Sequence, residues 1–255
     1  TSVTVGVPGV GSILVNQGGS GTGIQRMDDM TPTVWEEADG AGLSATINKI
    51  SGGSAGATLE LTPSMTPDGL TARFAWSPDA DGGSSVGDKT TGAAAGIAGG
   101  GWDLTLEATE DLHGMAGLTV YGGISEVDQF TDSATYSGNR DETVYGFKYA
   151  MGGFTFGYQV SEEDTGQTGV TGYDNTSYGI TFSVNDDLSV GYGHTESDGT
   201  GTSSKADPSA DSLQVAYTMG GATFRIAEID VENAGYTTAA SGDKDATVIS
   251  LGLAF

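Results

Sequence analysis

Acidic residues cluster in a short segment near the beginning of the sequence, and their types suggest two kinds of chemistry. Asp28 and Asp29 are followed by Glu36 and Glu37, and Arg26 precedes all four. Carboxylate oxygens in an acidic loop can bind calcium, so Asp28 and Asp29 are candidate calcium ligands. The same side chains could instead stay solvated and ionised and create a local negative field. The sequence indicates no other cofactor.

Residues for covalent catalysis are absent or isolated. The chain has no cysteine, which excludes disulfides and thiolate chemistry. His113 and His194 have no nucleophile or acid at a catalytic spacing. The glycine-rich stretch at residues 18–23 is followed by neither a lysine nor a helical pattern, so it is not a phosphate-binding loop. The sequence therefore predicts a protein that is not an enzyme.

The composition excludes several classes of protein. Hydrophobic residues make up 36% of the chain and 43 of its 255 residues are glycine, which disfavours a helical bundle. Nine Lys and Arg stand against 34 Asp and Glu, giving a formal charge of −25, so nucleic acid is not an expected partner. No apolar run is long enough for a transmembrane helix, but a transmembrane strand needs only about 9 to 11 residues of alternating polarity.

Such alternation recurs from about residue 57 to the last residue. In one example Phe154 and Phe156 alternate with Thr155 and Gly157. Each strand thus has one apolar face and one face of Gly, Ser, Thr and Gln, which is poor material for a dry core. A sandwich or a small barrel is also compatible with alternation alone.

The lengths of the connections favour a transmembrane antiparallel β-barrel. Short glycine or aspartate turns alternate with long polar links, as expected for tight turns on one side of a membrane and long loops on the other. About twelve strands are predicted, over residues 1–7, 57–62, 69–77, 101–110, 115–124, 141–150, 153–162, 175–184, 187–195, 210–219, 222–231 and 245–255. The chain is expected to form a single domain, 1–255, with a loop region at 8–56 and the remaining barrel strands at 57–255. Alternation of Leu43, Ala45 and Ile47 leaves room for one further strand.

Two stretches resemble outer-membrane barrels, and the second of them resembles the general porins of alphaproteobacteria. The final strand alternates through Ile249, Leu251 and Leu253 and ends in Phe255, like the terminal assembly signal of outer-membrane barrels. Residues 24–37 resemble the loop that folds into the barrel after the fifth strand and narrows the pore. Residues 1–7 as a fifth strand, with eleven strands after the loop, would complete the sixteen strands of that family, so about four strands are expected to be absent before Thr1. A self-contained barrel of about twelve strands is the alternative.

The resemblance implies a water-filled channel in the outer membrane of a Gram-negative bacterium, through which ions and small hydrophilic solutes diffuse passively. Its expected partners are outer-membrane lipid, lipopolysaccharide and two further copies in a homotrimer. The constriction residues would be Asp28, Asp29, Glu36, Glu37 and Arg26. Arg73, Lys148 and Arg225 fall on the polar faces of their strands and are expected to line the lumen, since a charge on the lipid face costs about 2 to 4 kcal/mol. The alternative from another class is a secreted or surface-attached acidic β-rich adhesin, although no fixed repeat is visible.

Overall fold

The computed structural model describes residues 1–17, 21–53, 57–80, 99–129, 135–201 and 206–254. They form one antiparallel sheet of thirteen strands, in which each strand pairs with the next along the chain. The strands are β1 (Ser2–Val7), β2 (Gly11–Gln17), β3 (Ala57–Pro63), β4 (Leu70–Ser77), β5 (Gly101–Ala108), β6 (Leu118–Val127), β7 (Arg140–Met151), β8 (Phe154–Asp164), β9 (Val170–Ser183), β10 (Leu188–Gly201), β11 (Ser209–Met219), β12 (Ala222–Glu232) and β13 (Lys244–Leu253).

Helical structure is limited to short pieces in the ranges that the structure describes. A 3-10 helix spans Gly23–Met27, a single α-helical turn, α1, spans Glu110–His113, and a second 3-10 helix spans Ala240–Gly242. In the described part of the chain, no helix has both the length and the apolar character needed to cross a membrane.

The eleven strands predicted after residue 56 are confirmed as β3 to β13, but the count before the loop was wrong. β2 lies inside the region that the sequence assigned to the loop at 8–56, and it pairs with both β1 and β3. The alternation of polarity along β2 is not visible in the sequence. Leu14, between Ile13 and Val15, places an apolar residue on the inner face as well as on the outer one. The further strand that the sequence left open around Ala45 is not formed, and residues 21–53 belong to the connection from β2 to β3.

The connections alternate in length as predicted, but the strands reach further than predicted. Gly152 and Gly220 have φ of 61° in their short turns, a conformation that costs glycine little. At the opposite end, β8, β9 and β10 extend into segments predicted to be long links, which leaves only residues 165–169 between β8 and β9. The predicted terminal residue Phe255 lies outside the described residues.

The two faces of the sheet differ in the way that the alternation predicts. Phe154 is 46% exposed and Leu251 is 62% exposed on the outer face, whereas Gln159 on the inner face is only 4% exposed. The outer apolar residues of neighbouring strands stand opposite each other, as Phe156 and Ile180 do. A sandwich would bury these apolar residues, so the structure excludes that alternative.

Acidic residues replace the outer apolar residues near the end that carries the longer connections. Asp141 stands directly opposite both Glu126 and Asp164, and Asp230 stands opposite both Asp211 and Asp245. Like charges in direct cross-strand positions are destabilising. The outer surface therefore consists of an apolar band bounded by an acidic rim.

This arrangement predicts that a charge is tolerated on one face of a strand and not on the other. We expect Phe156→Arg to lower the free energy of unfolding in phospholipid bilayers by about 2 to 4 kcal/mol, because the guanidinium would face lipid. The neighbouring Thr155→Arg, on the inner face, should change it by less than about 1 kcal/mol. Urea titration of folded protein in vesicles measures both values, and equal losses would contradict the assignment of the faces.

Candidate pore constriction

Residues 21–53, here called the inner loop, lie on the inner face of the sheet. The loop follows β2, begins with the 3-10 helix, whose first residue Gly23 contacts Glu60 of β3, and then reaches β13, where Gly42 lies against Val248. It then returns, and the backbone N–H of Gly53 donates to the Asp103 carboxylate of β5 at 3.4 Å. The inner loop thus has an outgoing course toward β13 and a returning course toward β5. Both run along the inner face of the sheet, which we call the wall.

Buried carboxylates of the wall hold the two ends of the inner loop. Glu60 of β3, 2% exposed, accepts the backbone N–H of Gly23 at 2.8 Å and pairs with Arg26 Nη2 at 2.6 Å. Glu142 of β7, also 2% exposed, accepts the backbone N–H groups of Ser51 at 3.0 Å and Gly52 at 2.6 Å. Hydrogen bonds to an ionised acceptor are stronger than neutral ones, so these contacts fix where the loop begins and ends.

Side-chain amides of the wall hold the middle of the outgoing course. Gln159 Nε2 of β8 donates to the backbone carbonyl of Asp28 at 2.9 Å. Gln214 of β11 accepts the backbone N–H of Trp35 at 3.2 Å and donates to the backbone carbonyl of Glu36 at 2.7 Å. An amide can accept and donate at once, so it can replace the strand partner that an irregular backbone lacks.

Glycines on three adjacent strands make room for the outgoing course. A Cβ atom at Gly157 of β8 or Gly179 of β9 would overlap Pro32, and one at Gly191 of β10 would come within 2.7 Å of Val34 Cγ2. Side chains larger than hydrogen at these positions would push the loop away from the wall. We call these three residues the glycine groove.

The far end of the inner loop packs through apolar contacts. Ala38, Ala41 and Ala45 form a buried cluster with Ile229 and Val231 of β12. Leu43 and Ile47, whose alternation suggested a strand, pack against this cluster from irregular backbone. Packing against β12 therefore replaces the strand pairing that the sequence left open.

Lys49 forms ion pairs with three acidic residues of the inner loop. Its Nζ lies 3.3 Å from Asp29 Oδ1, 3.3 Å from Glu37 Oε1 and 3.2 Å from Asp39 Oδ1. Burial acts to lower the pKa of Lys49, but the surrounding carboxylates outweigh it and raise the pKa. The ammonium on the returning course thus binds the outgoing course by charge.

The pKa values of the loop acids diverge because their surroundings differ. Burial raises the pKa of Asp28 to about 7, and the neighbouring acids add to the shift while Lys49 opposes it. Hydrogen bonding with Glu37 raises the pKa of the exposed Glu36 to about 7, with burial adding to it. Burial acts to raise the pKa of Glu37 too, but hydrogen bonding with Glu36 and the charge of Lys49 lower it on balance.

The structure places the predicted constriction residues as two groups. The first group is Asp28, Asp29 and Glu37, which line one cavity together with Lys49. Glu36 belongs to the same group, because it adjoins Glu37, but it is exposed at the surface of the loop. Arg26 lies apart from them, in its ion pair with Glu60.

Sequence reasoning missed two members of this group, Lys49 and the buried Asp39. A single lysine twenty residues after Asp29 gives no local signal, since only the return of the loop brings it back. The charge imbalance of the acidic segment was the one available hint that a cation should lie nearby.

The predicted wall cations follow the register of the sheet. Arg73 pairs with Thr105 and Lys148 with Gly157, both of which are inner-face residues. Arg225 lies on the same face of β12 as Ala227, and its guanidinium carbon is 5.5 Å from the centroid of the Trp35 ring. Cation–π contact of this kind adds to the packing of the inner loop.

Calcium binding at Asp28 and Asp29 stays a prediction. Among the described residues, no group of three or more His, Cys, Asp or Glu side chains is arranged to hold a metal ion.

Comparison with known proteins assigns the fold. Solved structures that match include a porin refined at 1.8 Å (TM-score 0.65, 14% identity, 98% of this chain and 80% of the porin) and OmpF of Salmonella typhi in complex with daunomycin (0.63, 13%, 94% and 74%). OmpT of Vibrio cholerae also matches (0.57, 14%, 95% and 74%). No family model and no curated protein matches the sequence. The fold is therefore a transmembrane antiparallel β-barrel of the porin type.

The glycine groove predicts that a larger residue releases the inner loop. We expect Gly179→Val to raise the rate of tryptic cleavage after Lys49 about tenfold, because overlap with Pro32 costs about 1 to 3 kcal/mol of docking free energy. Gly6→Val in β1 is the control, since a Cβ atom there meets nothing within 4 Å. Equal cleavage of both variants would show that the groove does not hold the loop.

Proposed function

We propose that this protein is an outer-membrane channel for passive diffusion of ions and small hydrophilic solutes. The observation that carries this proposal is the inner loop, a charged segment fastened along the inner face of a porin-type sheet. A porin needs an apolar exterior, a polar interior and a constriction with an electric field across it, and no covalent chemistry. The apolar band provides the exterior, and the inner-face polar residues provide the interior. Lys49 and the acids that it pairs with, Asp29, Glu37 and Asp39, provide the charged constriction.

The finer assignment, to the alphaproteobacterial general porins, is part of the proposal. If the inner loop follows the fifth strand, as in that family, β2 takes the fifth position and β13 the sixteenth. A homotrimer in lipid and lipopolysaccharide of the cell outer membrane is the assembly this assignment implies. The acidic adhesin considered as an alternative receives no support, since the matching structures are outer-membrane porins.

The charges of the inner loop support a channel that prefers cations. Four carboxylates line the cavity that contains Lys49, so the local charge is negative when they are ionised. Within a narrow lumen these charges act on passing ions across only a few water layers, where bulk salt screens them little. Anions would meet a barrier there, and cations would be concentrated.

Reconstitution tests the channel directly. Purified protein added to a planar lipid bilayer should produce stepwise ion currents, with a reversal potential in a KCl gradient that indicates preference for K⁺. Asp29→Asn with Glu37→Gln should reduce this preference without closing the channel. Asp187→Asn, in the exposed turn between β9 and β10, is the control for loss of one acid elsewhere. Folded protein that inserts but conducts nothing would refute the proposal.

The raised pKa values predict that selectivity changes near neutral pH. Asp28 and Glu36, with pKa values of about 7, are mostly ionised at about pH 8 and mostly protonated at about pH 6. Lowering the pH across this range removes up to two negative charges, so the preference for K⁺ should fall. Ordinary carboxylates, which titrate near pH 4, would leave it unchanged.

A variant separates these two carboxyl groups from the rest. Asp28→Asn with Glu36→Gln should show a smaller K⁺ preference at about pH 8 and almost no change on acidification to about pH 6. The Asp187→Asn control should titrate like the unmodified protein. A double variant that still titrates near pH 7 would assign the pH dependence to other groups.

A further inference from the structure

A cavity lies between the two courses of the inner loop and the wall strands β8, β9 and β10. The loop contributes Asp28, Asp29, Glu37 and Asp39, and the wall contributes Ser161 and Asn175. Other lining side chains from the wall are uncharged and polar, among them Ser177 and Thr195, whose hydroxyl groups are 2.8 Å apart. The cavity therefore presents acidic groups on one side and neutral polar groups on the other.

The charge of the cavity is not balanced by the cations that line it. Lys49 contributes one ammonium against four carboxylates. His194 also borders the cavity, but its Nδ1 lies 2.8 Å from Asp211 Oδ1, so its ring interacts on the other face of β10. A cationic solute would find there more negative charge than Lys49 neutralises.

Asn175 adds an observation that does not depend on charge. The residue is 5% exposed, and its Nδ2 donates to the backbone carbonyl of Asn48 at 2.9 Å and to Ser161 Oγ at 3.2 Å. A backbone carbonyl can only accept, which fixes the orientation of the amide. Asn175 Oδ1 is then a buried acceptor that has no hydrogen-bond partner among the residues described by the structure. Burial of an acceptor without a donor is costly, so a donor from outside would be bound favourably.

We propose that this cavity is a binding site for a small organic cation whose charged group carries several N–H donors, a guanidinium or a primary ammonium. The proposal rests on the proposed function and names a class of solute for the same constriction. Asn175 Oδ1 accepts one N–H of the solute, and the carboxylate oxygens of the cavity that Lys49 does not contact accept others. A guanidinium matches this site best because its donors point in fixed, diverging directions.

The surroundings favour such a cation over a metal ion. A hard metal ion needs several oxygen ligands converging on one point, and the described acids are not grouped in that way. An N–H cation instead needs acceptors spread over the reach of its donors, which an amide oxygen and separated carboxylates provide. The site must release its solute for transport to continue, so moderate affinity is expected.

Calorimetric titration of the folded protein in detergent tests the binding without requiring conduction. Methylguanidinium should bind saturably, whereas tetramethylammonium, which has the same charge and no N–H donor, should bind about tenfold more weakly or not at all. Calcium chloride is the third probe. Equal binding of the two organic cations, or calcium binding tighter than methylguanidinium, would overturn the inference.

Substitutions at Asn175 separate the acceptor from the loop contact. Asn175→Ala and Asn175→Asp both lose the donor to Asn48, but only Asn175→Ala loses the acceptor. Methylguanidinium affinity should fall about tenfold in Asn175→Ala and be retained in Asn175→Asp. Ser189→Ala, on β10 beyond the cavity lining, is the control and should bind like the unmodified protein. Loss of affinity in both Asn175 variants would mean that the acceptor oxygen is not the ligand, and the inference would fail.

Bilayer recordings distinguish failure of this inference from failure of the proposed function. If the inference holds, methylguanidinium should reduce the K⁺ current at saturating concentration, and Asn175→Ala should require about tenfold more of it. A channel that conducts but shows no such block refutes the binding site and leaves the channel intact. Calorimetric binding to a protein that does not conduct refutes the channel and leaves the site.

Discussion

The structure depends on how the inner face of the sheet satisfies the backbone of the inner loop. Backbone N–H and C=O groups buried away from water must be paired, and apart from one turn of 3-10 helix this loop has no regular structure in which to pair them. Carboxylates of Glu60 and Glu142 and amides of Gln159 and Gln214 supply the missing partners. Inner positions that a small barrel would fill with apolar side chains are therefore polar, and they determine where the loop runs.

Most of the fold could be predicted from the sequence because lipid imposes a simple rule on the outer face. A strand such as β8 must be apolar at every second residue, and this alternation is visible without any knowledge of its neighbours. β2 was not predicted because Leu14 places an apolar residue on the inner face, where no lipid enforces the rule. The full lengths of β8, β9 and β10 were not predicted either. Beyond the apolar band their outer residues become acidic, which removes the contrast in polarity between the two faces.

Less of the candidate site could be predicted, because its contacts connect residues far apart in the chain. The acidic segment at residues 28–37 was visible as a cluster, but the pairing of Lys49 with Asp39 depends on the return of the loop. Arg26 was predicted among the constriction residues, and its position is decided by Glu60, a wall residue 34 positions later. Nothing local in either stretch encodes these distances. A glycine such as Gly179 likewise reads as a weak strand residue until Pro32 is placed against it.

The glycine groove also has a consequence for how steadily the inner loop is held. Where Pro32 lies on Gly179, main chain touches main chain, and no rotatable side chain intervenes. Side chains hop between rotamers within nanoseconds, and a gap bounded by them widens and narrows accordingly. A contact between two backbones varies only as far as the backbones themselves bend. At this stretch of the sheet, the position of the inner loop therefore does not depend on side-chain rotamers.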